Sequence, residues 1–270
     1  MANTIAIYNF KGGVGKTTSA LNLGYAWSRS FKVLLIDCDP QCNLSMAFGK
    51  NEEPNTIFYY LKKMLHDQVP DTIATVPITP YLHLLPGDFQ MVNIESNNQF
   101  ITFGTSIIQK ITYLVKKEYD IVIFDLPTHF GMLVKSFLAN VDSILIPAIP
   151  DSFSISGVKT LLSYLYEVER IKPLNILGIF FNMYRKNLLH HQDKYRESTE
   201  EFMDMILSTQ IRNSIKVAEA SDVGKSINRI NPDNSVARDF LQLSDELLAK
   251  FNIKFLDDQL LASGFFNQNQ

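Results

Sequence analysis

The stretch Asn9-Phe10-Lys11-Gly12-Gly13-Val14-Gly15-Lys16-Thr17-Thr18 constrains this chain more than any other. It follows a β-branched run, Thr4-Ile5-Ala6-Ile7-Tyr8, that reads as a strand, and it leads into Thr17 to Ser30, which reads as a helix. A strand that turns through glycines straight into a helix aims successive backbone N–H groups, and the positive end of the helix dipole, at one point. That arrangement suits a phosphate. Lys16 adds a cation that reaches terminal phosphates, and Thr17 offers a hydroxyl to Mg²⁺, the hard cation that accompanies a nucleoside triphosphate. The general phosphate-loop pattern asks for Gly six residues before the lysine, and Phe10 stands there instead.

The rest of the chain repeats the same alternation. Lys32-Val33-Leu34-Leu35-Ile36-Asp37 is a second strand bounded by Pro40, and further apolar strands are expected at Leu82 to Leu85, Asp120 to Phe124, Ser143 to Ile146 and Asn175 to Phe181. Near-continuous apolar runs of this kind belong to parallel sheets buried on both faces. Ile155, Val158, Leu161, Leu162, Leu165 and Val168 share one helical face, as do Val236, Phe240, Leu243, Leu247 and Phe251 near the end. The pattern predicts an α/β fold with a doubly wound, mainly parallel sheet flanked by helices. No linker, repeat or composition shift divides the 270 residues, so a single domain over 1–254 is expected, with 255–270 as a tail.

Composition bounds the function classes. Hydrophobic residues at 46% and charged residues at 20% argue against a disordered chain, and a net charge of −3 rules out a basic coat while leaving room for a local basic patch. No apolar run approaches the roughly 18 to 20 residues of a bilayer span, and the first residues lack a signal-peptide pattern, so a cytoplasmic protein is expected. Cys38 and Cys42 are too few for a disulfide framework or a zinc site and read as reduced, structural thiols.

The departure at Phe10, with a lysine beside it, resembles the deviant Walker A motif of the ParA/MinD group of P-loop ATPases, which carries an extra lysine at the start of the loop. Lys11 is that residue here. The resemblance implies ATP and Mg²⁺ as ligands. It also implies an ATP-binding loop made of Lys11, Gly12, Gly13, Val14, Gly15, Lys16, Thr17 and Thr18, in which Lys11 reaches across an ATP-sandwiched homodimer to the other subunit's phosphates. The run from Val33 to Asn43 is similar to the family's switch I. On that match Asp39 serves hydrolysis and the Mg²⁺ shell with Lys11 and Lys16 as the catalytic set, and Asp37 supports it. Asp125 follows an apolar strand that matches Walker B, which completes a metal set of Thr17, Asp39 and Asp125. The family usually continues with two prolines. This chain reads Leu126-Pro127-Thr128-His129-Phe130-Gly131, so the second switch departs from the pattern, and His129 reads as a loop residue rather than a general base.

The resemblance extends over nearly the whole chain. It puts Asn182 where relatives offer an amide to the adenine edge. It also implies binding of non-specific DNA by the ATP-bound dimer, for which Arg185 and Lys186, within a basic stretch from Lys172 to Arg196, and the later Arg212, Lys216, Lys225 and Arg229 are candidates. A ParB-like, centromere-bound activator of hydrolysis, nucleoid association and the absence of an amino-terminal helix-turn-helix domain follow as expectations. The runner-up is a MinD-like membrane-associated ATPase. The segment Lys254 to Phe266 carries one lysine and two aspartates, a poor match to the basic amphipathic helix which that reading requires. A nitrogenase-type iron protein is disfavoured because both cysteines sit in switch I, and a bacterial tyrosine kinase because no tyrosine follows Tyr195.

Overall fold

Seven strands build one sheet in the order β3-β4-β2-β5-β1-β6-β7. The computed structural model describes residues 2–169 and 175–251. In chain order the main elements are β1 (Asn3–Ile7), α1 (Lys16–Trp27), β2 (Val33–Asp37), α2 (Asn43–Ala47), α3 (Ile57–Leu65), β3 (Val76–Pro77) and β4 (Leu82–Leu85). There follow α4 (Asn98–Val115), β5 (Ile121–Asp125), α5 (Met132–Leu138), β6 (Ser143–Ala148), α6 (Ser152–Glu169) and β7 (Asn175–Phe181). The described chain closes with α7 (Leu189–Phe202), α8 (Ile215–Asp222), α9 (Ile227–Ile230) and α10 (Ser235–Lys250).

Every pairing in the described sheet is parallel except β3 with β4. The expected strands are all present, and β3 is an addition that two residues cannot announce in a sequence. Strand alternation sorts the core into two layers. Val122, Phe124, Ile144 and Ile146 pack with α3, α4, α5 and α6, while Ile121, Ile123, Val33 and Leu35 pack with α1 and α10. The stripe Val236, Phe240, Leu243 and Leu247 of α10 is buried as its spacing required, and truncating Phe240 to Ala would cost about 3–5 kcal/mol. Trp27 at the end of α1 lies 5.7 Å from the Phe251 ring, centroid to centroid, which closes this layer.

The carboxyl ends of β1, β2 and β5 are adjacent, with Asp125 in register with Ile7 on one side and Asp37 on the other. The loop after β1 and two carboxylates therefore meet at one edge of the sheet, where parallel α/β folds place ligands. The expected boundary at 254, the tail 255–270 and Lys172 lie outside the described residues.

Candidate nucleotide site

The loop after β1 turns into α1 through left-handed backbone at Gly13 (φ 74°) and Gly15 (φ 88°), a conformation that glycine adopts without cost. Gly15 is also closed in by Asn182, whose Nδ2 would overlap any Cβ there. Lys16 opens α1 and is 8% exposed. Its Nζ donates to the carbonyls of Asn9 (3.2 Å) and Lys11 (3.4 Å), which folds the amine over the loop. Burial lowers its pKa, and Asp125 and Asp39 oppose that. A cavity of about 750 Å³ opens above, with Gly13, Lys16, Thr17 and Thr18 on one side and Asp39 and Gln41 on another. Met46 and Ala47 of α2, with Ser221 and Asp222 at the end of α8, close the far wall. These four were not singled out from sequence, because only the fold brings them opposite the loop.

Three carboxylates divide into distinct roles. Asp37 is buried and accepts from the Ser45 N–H (2.8 Å) and hydroxyl (2.6 Å) through one oxygen, and burial still raises its pKa to about 6. It ties the segment after β2 to α2 and does not line the cavity. Asp39, two residues on, lines the cavity and accepts from the Gln41 N–H at 2.9 Å. Asp125 is 1% exposed, and no donor meets its oxygens in full hydrogen-bond geometry, although the Thr17 hydroxyl stands close enough to act on them. Burial and neighbouring Asp37 push its pKa well above the carboxylate range, while nearby Thr17 and Lys16 pull it down. A buried acid this weakly paired is costly, and a cation beside it removes that cost. Among the described residues no three His, Cys, Asp or Glu side chains form a metal cage.

Asn182, expected at the adenine edge, is 5% exposed. Its amide donates to the Val14 carbonyl (2.8 Å) and accepts from the Met183 N–H (2.9 Å). It braces the floor of the loop and is not on the cavity lining. Lys11 is engaged too, its Nζ lying 2.7 and 2.9 Å from the two oxygens of Asp151. Both cysteines are free and buried. Burial, with Asp37 nearby, raises both thiols, Cys42 to about 12.

The second switch is pinned by its neighbours. Tyr8 donates to the Thr128 carbonyl at 3.2 Å, and Phe130 packs against Phe10 (5.3 Å), Tyr8 (6.0 Å) and Tyr164 (5.3 Å). Phe10, standing where the general pattern has glycine, thus joins the phosphate loop to the second switch. His129 is exposed and pairs with Glu95 at 3.3 Å.

The candidate DNA contacts fall into separate groups. Arg185 and Lys186 are exposed on the turn after β7, next to Arg212 through a bridge between Tyr184 and Arg212. Arg212 holds Asp239 through Nε and donates through Nη2 to the Ser235 carbonyl at 2.9 Å, so much of its hydrogen-bonding capacity is spent internally. Lys216 pairs with Glu219 on the surface (2.8 Å). Lys225 is exposed after α8, and the Arg229 guanidinium stacks 4.9 Å from the Tyr25 ring.

A glycine-built loop opening a helix, its lysine and a buried acid on the adjacent strand define a P-loop nucleotide-binding fold. Comparison with known proteins narrows the class. A family model described as an AAA domain matches residues 2–176. A ParA family protein of Chlamydia muridarum is 30% identical over 254 residues, covering 91% of this chain and 97% of that relative. The chromosome-partitioning ATPase Soj of Treponema pallidum is 30% identical over 253 residues, covering 93% and 98%. Among solved structures, an ATP complex of a Cyanothece McdA variant shares the fold with a TM-score of 0.81 at 23% identity, over 92% of this chain and 96% of that one. The septum site-determining protein MinD of Pyrococcus horikoshii with Mg-ADP gives 0.73 at 23%, over 92% and 96%. The chain belongs to the ParA family of P-loop ATPases.

Proposed function

We propose that this chain is a DNA-partition ATPase that binds ATP and Mg²⁺ at the loop 9–18, pairs with a second copy around the nucleotides, and holds non-specific DNA in that state. The observation that carries the reading is the meeting of Lys16, Thr17 and the fully buried Asp125 at the carboxyl ends of adjacent strands. The Treponema relative, named a chromosome-partitioning ATPase, supports the same direction.

The backbone N–H groups of 12–17 would receive the phosphates, and the Lys16 amine would turn from its two carbonyls to the terminal ones. Thr17, with Asp125 and Asp39 acting through water, would hold Mg²⁺, which when bound neutralises phosphate charge and the buried carboxylate. Asp39 orients the attacking water from the cavity wall. Lys11 exchanges Asp151 for the partner copy's phosphates, and Asn182 keeps the loop in shape from below. Arg185, Lys186, Lys216, Lys225 and Arg229 supply phosphate contacts that double in a dimer, with Arg212 contributing what its ion pair leaves free. A ParB-like activator on a centromere-like site stimulates hydrolysis, and the dimer then dissolves and leaves the DNA.

The deciding experiment compares retention of the pure protein on random-sequence DNA and on anionic liposomes, each with ATP or ADP. Retention on DNA with ATP alone is the expected result. Retention on liposomes without DNA binding would transfer the assignment to a membrane-positioning ATPase.

A further inference from the structure

Residues 87–96 run from the end of β4 to the start of α5, and the contacts at the two ends of this strap hold the segments that follow β2 and β5, each of which carries a cavity-lining residue, Asp39 and Thr128. At its start the Gly87 N–H donates to the Ser45 hydroxyl at 2.8 Å, the same hydroxyl that donates to Asp37. A Cβ at Gly87 would stand 3.0 Å from the Asp37 carboxyl carbon, so only glycine passes there without a shift. Asp88 caps the 3-10 segment Phe89–Ser96, and Met91 and Ile94 anchor it in the core. At its far end Glu95 accepts from the Leu133 N–H at 2.9 Å through Oε1 and pairs with His129 through Oε2.

The loop 126–131 between Asp125 and α5 is therefore held at both ends. Asp125 is fixed by the sheet, and Glu95 fixes the other end at the first turn of α5. Gly131 is the point of closest approach, since a Cβ there would overlap both Glu95 oxygens. Between these anchors Thr128 reaches the cavity, its methyl 4.0 Å from where a Cβ on Gly12 would lie. Glu95 supplies the side-chain hydrogen bond that holds the exit of this loop, and the family's second proline, which would have stiffened it, is Thr128 here.

We infer that Glu95 is a positioning residue for hydrolysis: its carboxylate, which accepts from the Leu133 N–H, holds the second switch where Thr128 faces the nucleotide. Glu95 touches no nucleotide itself and acts through the loop. The inference rests on the ATPase reading above and adds a residue that the loop motifs do not contain.

The test measures ATP affinity and steady-state hydrolysis separately, with random-sequence DNA and Mg²⁺ present, for the full chain and three variants. Glu95→Ala removes the acceptor, Glu95→Gln keeps an acceptor oxygen for Leu133, and Gly131→Ala displaces the flexible end of Glu95 without touching the core. Thermal midpoints monitor folding in each. The expected result is a fall in kcat of about tenfold in Glu95→Ala and Gly131→Ala, with ATP affinity within about twofold of the parent and Glu95→Gln close to the parent. Equal kcat in parent and Glu95→Ala would overturn the inference, as would Glu95→Gln losing as much as Glu95→Ala. A parent that binds no ATP would instead overturn the ATPase reading, so the two failures are distinct.

Discussion

Lys11 and Asp151 are joined within one chain, Nζ to carboxylate at 2.7 Å, with each side chain about one-third exposed at 32%. The lysine that the ParA/MinD resemblance sends to a partner's phosphates thus has a resting place on its own subunit. Asp151 also accepts from the Ser154 N–H at 2.7 Å, so one carboxylate both caps α6 and holds the lysine, and its pKa is lowered by these contacts against the opposing effect of burial.

The proposed ATP-bound dimer would break that pair in each subunit. An ion pair one-third exposed is worth about 0.5–1 kcal/mol, and a symmetric dimer breaks two of them, so Asp151→Asn, which keeps an acceptor for Ser154, is expected to strengthen ATP-dependent association by roughly five- to thirtyfold. Sedimentation velocity across a concentration series, with ATP and with ADP, measures the shift. Association that is unchanged or weaker in the variant would show that Asp151 is not a competitor for Lys11.

Lys16→Ala should leave the fold intact, because the amine bonds only to two loop carbonyls. It should weaken ATP binding by about 100-fold or more, the scale of losing charge-assisted hydrogen bonds to phosphate. Asp39→Ala is expected to behave differently, retaining ATP and the ATP-dependent dimer while losing turnover. Calorimetric titration with a slowly hydrolysed ATP analogue, beside a phosphate-release assay, separates the two. Matching defects in both variants would undo the division between a binding lysine and a hydrolytic acid.

Asp37 carries a pH signature. Burial raises its folded-state pKa to about 6, above its unfolded value near 4, so the folded chain holds the proton more tightly than the unfolded one. Its contribution to stability is then fully present below about pH 4 and is lost as pH rises through about 6, a swing of roughly 3 kcal/mol. Asp37→Asn keeps an acceptor for Ser45 and cannot ionise. In Mg²⁺-free and nucleotide-free buffer, urea unfolding from pH 4.5 to 7.5 should show the parent losing stability relative to the variant as pH rises, over a window of about the two pH units that separate the folded and unfolded values. Parallel curves would mean that Asp37 does not titrate in this window.

The strands and the phosphate loop were legible because each is a local pattern. Ile121 to Phe124 are apolar without interruption because both faces of that strand are buried, and Gly13 and Gly15 are required by backbone conformations that few other residues adopt. The carboxylates Asp37, Asp39 and Asp125 were legible by position at strand ends, although their division into tether, cavity acid and fully buried acid was not. That division depends on which neighbours come within reach after folding. The same holds for Asp151, 140 residues from Lys11, and for Glu95, 38 residues from Leu133, since nothing local marks either as a partner. Asn182 belongs with them: its bond to the Val14 carbonyl joins residues 168 apart, and nothing local in the sequence marks it.

Arg212 shows why candidate DNA contacts need separate tests. Its guanidinium holds Asp239, a side chain only 6% exposed, and an alanine would leave that carboxylate buried with the residue 212 N–H but without the cation. Breaking a fully buried pair costs about 3–5 kcal/mol, and with half of the Arg212 side chain in water roughly 1–3 kcal/mol is expected. Weaker DNA binding by Arg212→Ala would therefore mix instability with lost contact. Arg185 and Lys186 are exposed on their turn, so Arg185→Ala with Lys186→Ala should leave the thermal midpoint unchanged. If both meet phosphate, the slope of log affinity against log salt should fall by about two per protomer on random-sequence DNA with ATP. An unchanged slope would move the DNA face to the Lys225 and Arg229 side of the molecule, where the paired substitution of those two residues would then carry the loss.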